Sequence, residues 1–203
     1  MKGQLIKITP ISKKFHNVFR FSRRTAEVAL RGGKKYRFDR HVFETGPAVS
    51  VLPYFFDEQK KEWMVVLVRQ YRPAVDALCL EAPGGLLEKG VNPRLEMTRE
   101  LFEEAGICVS SQKIKYIGYQ HLASSFCDQV VHLGSAHLSD VKSAANLLAS
   151  LRIHNGLMSE HEFTEVVVVP LLDALRKPRL VTYTLAKYQI LQLADELKIS
   201  WHK

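Results

Sequence analysis

The sequence predicts a mixed α/β fold in which helices cover the faces of a β-sheet. Two observations predict this class: short runs of β-branched or alternating apolar residues recur along the chain, and two helical segments lie among and after them. The 203 residues are enough for one domain with a small appendage, and a hydrophobic content of 46% is enough for its core.

The chain begins with a strongly basic segment. Residues 1–38 contain six Lys and five Arg but only one acid, Glu27, while the whole chain has a formal net charge of +8. An organelle-targeting segment or a nucleic-acid-binding arm would have this composition. However, two apolar groups, within 18–21 and 28–30, precede Gly32-Gly33, as in strands joined by a turn. We therefore interpret the segment as a β extension whose charge can attract anions.

Five further runs predict the strands of the central sheet. Each is rich in β-branched residues or alternates between apolar and polar positions. The polar residues 57–61 predict a hairpin connection between the first two runs. The runs cover residues 48–55, 64–71, 113–120, 129–138 and 164–169.

Residues 93–105 are predicted to form a helix because both ends carry the expected residues. Asn92 is a preferred N-cap, Pro93 suits the first helical position, and Gly106 suits the position just past the end. A last helix is predicted over residues 180–199, where apolar residues recur at helical spacing. Residues 139–151 are a candidate for a short extra helix.

Composition also bears on the compartment and on the class of protein. The chain lacks an apolar run of 18 residues and an N-terminal secretion signal, so we expect neither a membrane span nor export. The three cysteines, Cys79, Cys108 and Cys127, are an odd number without a close pair, which argues against disulfides and zinc. We expect reduced thiols and a cytoplasmic location, with organelle targeting by the basic segment left open.

Three acidic side chains on the predicted helix point to a metal site. Glu100 and Glu104 are four residues apart and Glu103 is three from Glu100, so the carboxylates share one helix face and repel one another. An isolated group of this kind is more often a solvated helix face. Here a Gly84-Gly85 loop before the helix can bring backbone close to a metal or phosphate, and carboxylates favour Mg²⁺ or Mn²⁺.

These residues resemble the Nudix box, which reads G-x5-E-x7-R-E-U-x-E-E-x-G-U with U aliphatic. Gly85 and residues 99–107, R-E-L-F-E-E-A-G-I, match it at the required spacing. One position departs, because the first glutamate of the pattern falls on Val91. In the family that glutamate often supports the box arginine, so the resemblance implies another partner for Arg99, for which Glu88 is a candidate.

Further segments are similar to the ADP-ribose and nucleotide-sugar pyrophosphatase branch of this family: residues 68–73, 80–85, 126–133 and 160–163. The resemblance implies an α/β/α sandwich with a mixed β-sheet over residues 46–203. It also implies an N-terminal antiparallel β extension over residues 1–45, which would pack across a homodimer and help to bind the base. Leu122 and Gln129 stand where ADP-ribose hydrolases often have a proline and an acid.

The resemblance assigns the metal ligands. Glu100 and Glu104 would bind Mg²⁺ or Mn²⁺ directly, with Glu100 counted among the catalytic residues. Glu103 would bind a second ion, or the same ion through water, and the Gly84 carbonyl would complete the shell.

The resemblance also implies a general base and a phosphate clamp. The base would be a glutamate in the loop before the last strand, and both Glu160 and Glu162 fit that description. Arg72 would bind phosphate through its guanidinium, and Arg40 is a weaker candidate of the same kind. Arg69, on the opposite face of the same strand as Arg72, is expected to be a surface charge.

The implied reaction is hydrolysis of the diphosphate bond of ADP-ribose or a related nucleoside diphosphate sugar, giving a nucleoside monophosphate and a sugar phosphate. One alternative keeps this chemistry but acts on NADH, a dinucleoside polyphosphate or capped RNA. Another is a Nudix fold that binds a ligand or RNA without catalysis. Nucleic acid is the less favoured partner, because no aromatic-and-basic RNA-binding signature accompanies the basic segment.

Overall fold

The computed structural model of the chain describes residues 1–15, 19–151 and 163–201. The chain divides into two compact units. The first consists of Met1–Ala48 with Gln120–Val131, and the second of Val49–Tyr119 with His132–Lys203. A β-sheet lies at the centre of each unit.

A three-stranded antiparallel sheet forms most of the first unit. Its strands, among the described residues, are β1 (Lys2–Pro10), β2 (Arg20–Ala29) and β3 (Lys35–Glu44), in the order β1-β2-β3. The turn between β2 and β3 contains Gly32 and Gly33 at φ +95° and +82°, a conformation that side chains rarely adopt. The strands and turn predicted for the N-terminal segment are confirmed, whereas its role in dimerisation stays a prediction.

Ion pairs within this unit take up part of its basic charge. Arg24 donates to Asp128 at 2.6 Å and to Glu44 at 3.3 Å, and Arg20 also pairs with Glu44. Burial alone would raise the pKa of Glu44, but hydrogen bonds, chiefly from Arg20, lower it. Asp128 also accepts the Thr45 N–H at 3.0 Å. These arginines therefore have a structural role in the unit.

Most of a larger sheet lies in the second unit. Its described strands are β4 (Ala48–Asp57), β5 (Glu62–Arg72), β6 (Ala77–Glu81), β7 (Ile114–His121), β8 (Val130–His137) and β9 (Thr164–Pro170). Their order is β6-β5-β4-β8-β7, and β9 also pairs with β5. Strands β4 and β6 pair with successive parts of one edge of β5. The chain that leaves β6 then passes beside β4 and accepts hydrogen bonds from its N–H groups.

The five predicted runs all form strands, with ends that differ by a few residues. The predicted hairpin turn between β4 and β5 is also present. Strand β6 has no counterpart in the prediction, because five residues are too few to show a period.

The described helices are α1 (Pro93–Ala105), α2 (Ala144–Ser150), α3 (Leu171–Arg176) and α4 (Thr184–Glu196). The limits of α1 are those predicted: the Asn92 side chain accepts the Arg94 N–H, and Gly106 ends the helix at φ +67°. Helix α4 begins at Thr184 and not at residue 180, because Tyr183 is an extended N-cap. None of the helices in the described part of the chain is long and apolar enough to cross a membrane.

Helices cover both faces of the sheet, which confirms the predicted α/β/α class. Alternating residues of β4 and β5 enter two separate apolar clusters. One cluster packs Leu52 and Val65 against α3 and α4, and the other packs Val51 and Val66 against α1 and α2. Helix α1 is thereby held against the sheet by apolar side chains on one of its faces.

A buried amide fastens α4 to the sheet. The Gln189 side chain accepts the Ser50 hydroxyl at 3.0 Å and donates to the Ser50 and Gly134 carbonyls at 3.2 and 3.0 Å. Gln189 is fully buried, and a buried amide without partners is costly. These bonds therefore set the position of α4 on β4 and β8.

We expect Gln189→Met to destabilise the protein, because methionine fills similar space but leaves the buried groups of Ser50 and Gly134 without their partner. The free energy of unfolding, measured by urea denaturation, should fall by about 2–3 kcal/mol. Gln192→Met is the matched control, since Gln192 is exposed on the same helix, and it should change that free energy by less than about 0.5 kcal/mol. Equal stability of the two variants would contradict the role given to Gln189.

Candidate active site

Three glutamates of α1 are buried. The exposed fractions of Glu96, Glu100 and Glu104 are 3%, 4% and 4%, and Glu103 is half-buried. A carboxylate taken out of water needs a positive partner or hydrogen bonds to offset the lost hydration. This face of α1 is therefore not an ordinary solvated acidic surface.

The Gly84-Gly85 loop lies directly against these carboxylates. The Gly84 N–H donates to Glu104 Oε2 at 2.8 Å. A Cβ atom on Gly85 would overlap the Glu100 carboxylate, and one on Gly84 would overlap the Val49 carbonyl of β4. The close approach of loop, strand and helix thus leaves no room for a side chain at residue 84, and leaves room at residue 85 only if the Glu100 carboxylate moves.

Strand β4 also orients the carbonyls of this loop. Two N–H groups of β4 donate to the Pro83 and Gly85 carbonyls at 2.8 and 2.9 Å. The carbonyls of Pro83 and Gly85 therefore both face β4. Where carbonyls alternate in this way, the N–H and the C=O of the residue between them both point to the opposite side. Because the Gly84 N–H donates to Glu104, we expect the Gly84 carbonyl on the α1 side, as its predicted role as a metal ligand requires.

Arg99 holds the acidic side chains of α1 together. Its Nε donates to Glu96 at 2.6 Å, its Nη2 lies 2.5 Å from oxygens of both Glu96 and Glu100, and its Nη1 pairs with Glu103. Burial alone would lower the pKa of Arg99, but attraction to the three acids, led by Glu100, raises it. Among the described residues Arg99 does not pair with Glu88, which is exposed. The expectation of Glu88 as its partner is wrong, because Glu96 lies one helical turn away on the same face.

The donor set fits a hard divalent cation. The carboxylates of Glu100 and Glu104 and the expected Gly84 carbonyl are oxygen donors, which Mg²⁺ and Mn²⁺ prefer. The acids of this face outnumber its single guanidinium, so the face keeps a net negative charge. In the part of the chain that the structure describes, no three His, Cys, Asp or Glu side chains are grouped as ligands of one ion. Arg99 lies among the expected ligands instead.

Arg72 is positioned by a buried acid. Its Nε and Nη2 donate to the two Glu81 oxygens at 2.7 and 2.8 Å. Burial opposes protonation of Arg72, but the bonds to Glu81 are the largest effect and raise its pKa. Its side chain is still 45% exposed, so a phosphate can reach it. Tyr183 lies half-buried nearby, and desolvation and then the charge of Glu81 raise its pKa.

Of the other two arginines, Arg40 is exposed and Arg69 is half-buried. Arg40, in the first unit, lies 4.9 Å from the centroid of the Phe38 ring and donates to the Asp39 carbonyl at 3.0 Å. Its role in substrate binding stays a prediction. Arg69 pairs with Glu165 at 3.0 Å on the surface of the second unit, which confirms that it is a surface charge.

The two candidates for the general base, Glu160 and Glu162, lie outside the described residues, so this role stays a prediction. Beyond them, Thr164 is buried at the start of β9. Its hydroxyl donates to the Glu104 carbonyl at 3.0 Å. The bond fastens the start of β9 to the carboxyl-terminal end of α1.

Three residues of this site are missing from the sequence prediction: Glu81, Glu96 and Thr164. Helical spacing could have identified Glu96, since it is four residues before Glu100 and shares its face. Glu81 and Thr164 carry no local signal, because their contacts join separate elements of the fold.

Comparison with known proteins adds independent findings. A family model described as the NUDIX domain matches residues 44–187. An ADP-ribose pyrophosphatase of Bacillus subtilis is 32% identical over 74% of this chain and 71% of its own length. A methanol dehydrogenase activator of Bacillus methanolicus is 32% identical over 66% and 68%. A GDP-mannose pyrophosphatase of Salmonella arizonae is 28% identical over 80% of each chain.

We expect Gly84→Ala and Gly85→Ala to have different effects. A Cβ at residue 84 meets backbone of β4, so the free energy of unfolding should fall by about 3 kcal/mol. A Cβ at residue 85 meets the end of the Glu100 side chain, which can rotate away, so the fall should stay near 1 kcal/mol. Gly3→Ala is the control, since its Cβ would make an ordinary contact at 3.6 Å with Val28. Denaturation curves for the three variants test this order, and equal losses at 84 and 85 would refute it.

Proposed function

The chain belongs to the Nudix family, and we propose that it is a Mg²⁺-dependent hydrolase of ADP-ribose or a related nucleoside diphosphate sugar. It is a Nudix pyrophosphohydrolase of the ADP-ribose and nucleotide-sugar branch. In the proposed reaction, water adds to one phosphorus of the diphosphate and the bond from that phosphorus to the bridging oxygen breaks. The products are a nucleoside monophosphate and a sugar phosphate.

The observation that carries the proposal is the approach of two buried carboxylates to one glycine loop. Glu104 accepts the Gly84 N–H, and the Glu100 carboxylate lies where a side chain at Gly85 would be. Packing acids this closely into a buried site is unfavourable unless a cation offsets their charge. The arrangement thus supports an ion at this position.

Glu100, Glu104 and the Gly84 carbonyl would hold the ion, with Glu103 on a second ion or a bound water. When bound, Mg²⁺ or Mn²⁺ would neutralise the diphosphate and polarise the phosphorus under attack. Helix α1 and strand β4 hold the backbone that carries these groups in place before any ligand arrives, so the backbone would need little reorganisation.

Other residues would bind the substrate and move the proton. Arg72 would contact the diphosphate with the exposed part of its guanidinium, while Glu81 keeps the group in one orientation. Either Glu160 or Glu162 would take a proton from the attacking water. The hydroxyl of Thr164 bonds the start of β9 to the Glu104 carbonyl of α1. Because Glu104 is an expected metal ligand, this bond supports a general base in the segment just before β9.

The choice of substrate is supported by what two relatives have in common. The names of the Bacillus subtilis and Salmonella arizonae proteins specify ADP-ribose and GDP-mannose. These compounds differ in base and sugar but share a diphosphate between a nucleoside and a sugar. NADH, dinucleoside polyphosphates and capped RNA also contain a phosphate anhydride, so they are the comparison substrates in the test.

We expect Mg²⁺-dependent release of a monophosphate from ADP-ribose or a nucleotide sugar, and its loss in Glu104→Gln. Loss of a ligand should lower kcat/KM at least ~100-fold, because several kcal/mol of transition-state stabilisation depend on the ion. The assay compares these substrates with NADH, a dinucleoside polyphosphate and capped RNA. Glu88→Gln, which removes an exposed glutamate before the same helix, is the control and should keep the wild-type rate. Unchanged Mg²⁺-dependent turnover in Glu104→Gln would reject the metal assignment.

We expect one of Glu160→Gln and Glu162→Gln to remove the general base. That variant should lose about 10²–10⁴-fold in kcat, and the fall of the wild-type rate at low pH, where the base is protonated, should disappear. Glu165→Gln is the control, since Glu165 of β9 is exposed and pairs with Arg69 of β5 at the surface, and this variant should keep the wild-type pH profile. Wild-type profiles in both loop variants would show that the base lies elsewhere.

A further inference from the structure

Arg99 occupies bonding positions that the proposed ion needs. Its guanidinium contacts Glu100 and Glu103, both of which are expected ligands. A guanidinium and a divalent cation repel each other when they share carboxylate oxygens. Ion binding therefore requires Arg99 to give up at least part of these contacts. This inference rests on the metal site of the proposed function.

Glu96 differs from the other two partners of Arg99. One of its oxygens accepts the Arg99 Nε–H at 2.6 Å and also lies 2.5 Å from Nη2 in an ion pair. It lies one turn before Glu100 on α1, whereas the contacts with the Gly84-Gly85 loop come from Glu100 and Glu104. Glu96 is also 97% buried, so its charge depends on a permanent cationic partner.

We propose that Glu96 is a positioning residue that retains Arg99 when the ion takes Glu100 and Glu103. With Glu96 in place, Arg99 can release the ligands and still keep its Nε hydrogen bond and its ion pair with a buried carboxylate. Without Glu96, the acidic partners left to Arg99 in this group are Glu100 and Glu103, which are expected ligands. The arginine and the ion would then compete for the same oxygens. Residue 91, where the box pattern has a glutamate, is Val91 here, and Glu96 supplies the carboxylate from within the helix.

The effect should appear in metal affinity measured without substrate. Partners that orient metal ligands typically change metal affinity by ~10–100-fold when they are removed. We expect the dissociation constant for Mn²⁺, measured by electron paramagnetic resonance, to rise about tenfold in Glu96→Gln. Glu88→Gln is the matched control, because it also removes one negative charge, from an exposed glutamate between the glycine loop and α1. Its dissociation constant for Mn²⁺ should stay within about twofold of the wild-type value.

A second measurement separates action through Arg99 from loss of a negative charge. In ¹⁵N-resolved spectra, the Arg99 Nε–H of the wild type should stay protected from solvent exchange when Mg²⁺ is added, because Glu96 retains it. In Glu96→Gln the same proton should lose that protection. Weaker Mn²⁺ binding with an equally protected Arg99 in both proteins would attribute the effect to charge alone and overturn the proposal.

The remaining outcomes are also decisive. Glu96→Asp keeps the charge but has a shorter reach, so its Mn²⁺ affinity should lie between those of wild type and Glu96→Gln; it replaces the glutamine variant if that one does not fold. Wild-type affinity in a folded Glu96 variant would overturn this proposal while leaving the proposed function intact. Failure of the wild type itself to bind Mn²⁺ would reject the metal site and, with it, both proposals.

Discussion

Burial of charge on α1 is the constraint on which the second unit depends. Glu96, Glu100 and Glu104 are all at least 96% buried on one helix. A buried carboxylate without compensation would cost several kcal/mol, a large part of the stability of an ordinary domain. The guanidinium of Arg99 and the N–H of Gly84 offset part of this cost. The remaining negative charge is what makes the site suitable for a divalent cation.

The fold holds this charged face in place by packing the rest of the helix. Met97, Leu101 and Ala105 of α1 are completely buried against the sheet. Because strand β4 is buried on both faces, it supports α1 on one side and α4 on the other, with Gln189 linking it to α4. The glycine loop is bonded to the same strand. Helix, loop and strand are therefore packed and bonded together around the expected ligands.

The same interactions connect stability with function. Arg99 offsets the repulsion among the acids when no ion is bound, but it also occupies their oxygens. If the site binds the proposed ion, stability of the ion-free protein and affinity for the ion are thus opposed through one side chain. An additional acid that pairs with the arginine and is not an expected ligand would reduce that opposition. Glu96 is buried and bonded to Arg99, as this role requires.

Much of the fold, and the acidic face of α1 that is proposed to bind the ion, followed from local patterns in the sequence. Asn92, Pro93 and Gly106 determined the limits of α1, because capping depends on neighbouring residues. The spacing of Glu100, Glu103 and Glu104 determined a shared acidic face for the same reason. Short elements such as β6 and α3 escaped prediction, because they contain too few residues to show a period.

The sequence by itself thus determined the fold class, the limits of α1 and the shared face of its glutamates, and only the tertiary structure decided which partners these side chains have. Arg99 pairs with Glu96 and not with Glu88, Arg72 is held by Glu81, and Thr164 bonds to the carbonyl of Glu104. The last two contacts join residues 9 and 60 positions apart. The physical reason is that helical spacing and caps depend on bonds within a few residues, whereas the pairing of buried charges depends on which groups packing brings together and removes from water.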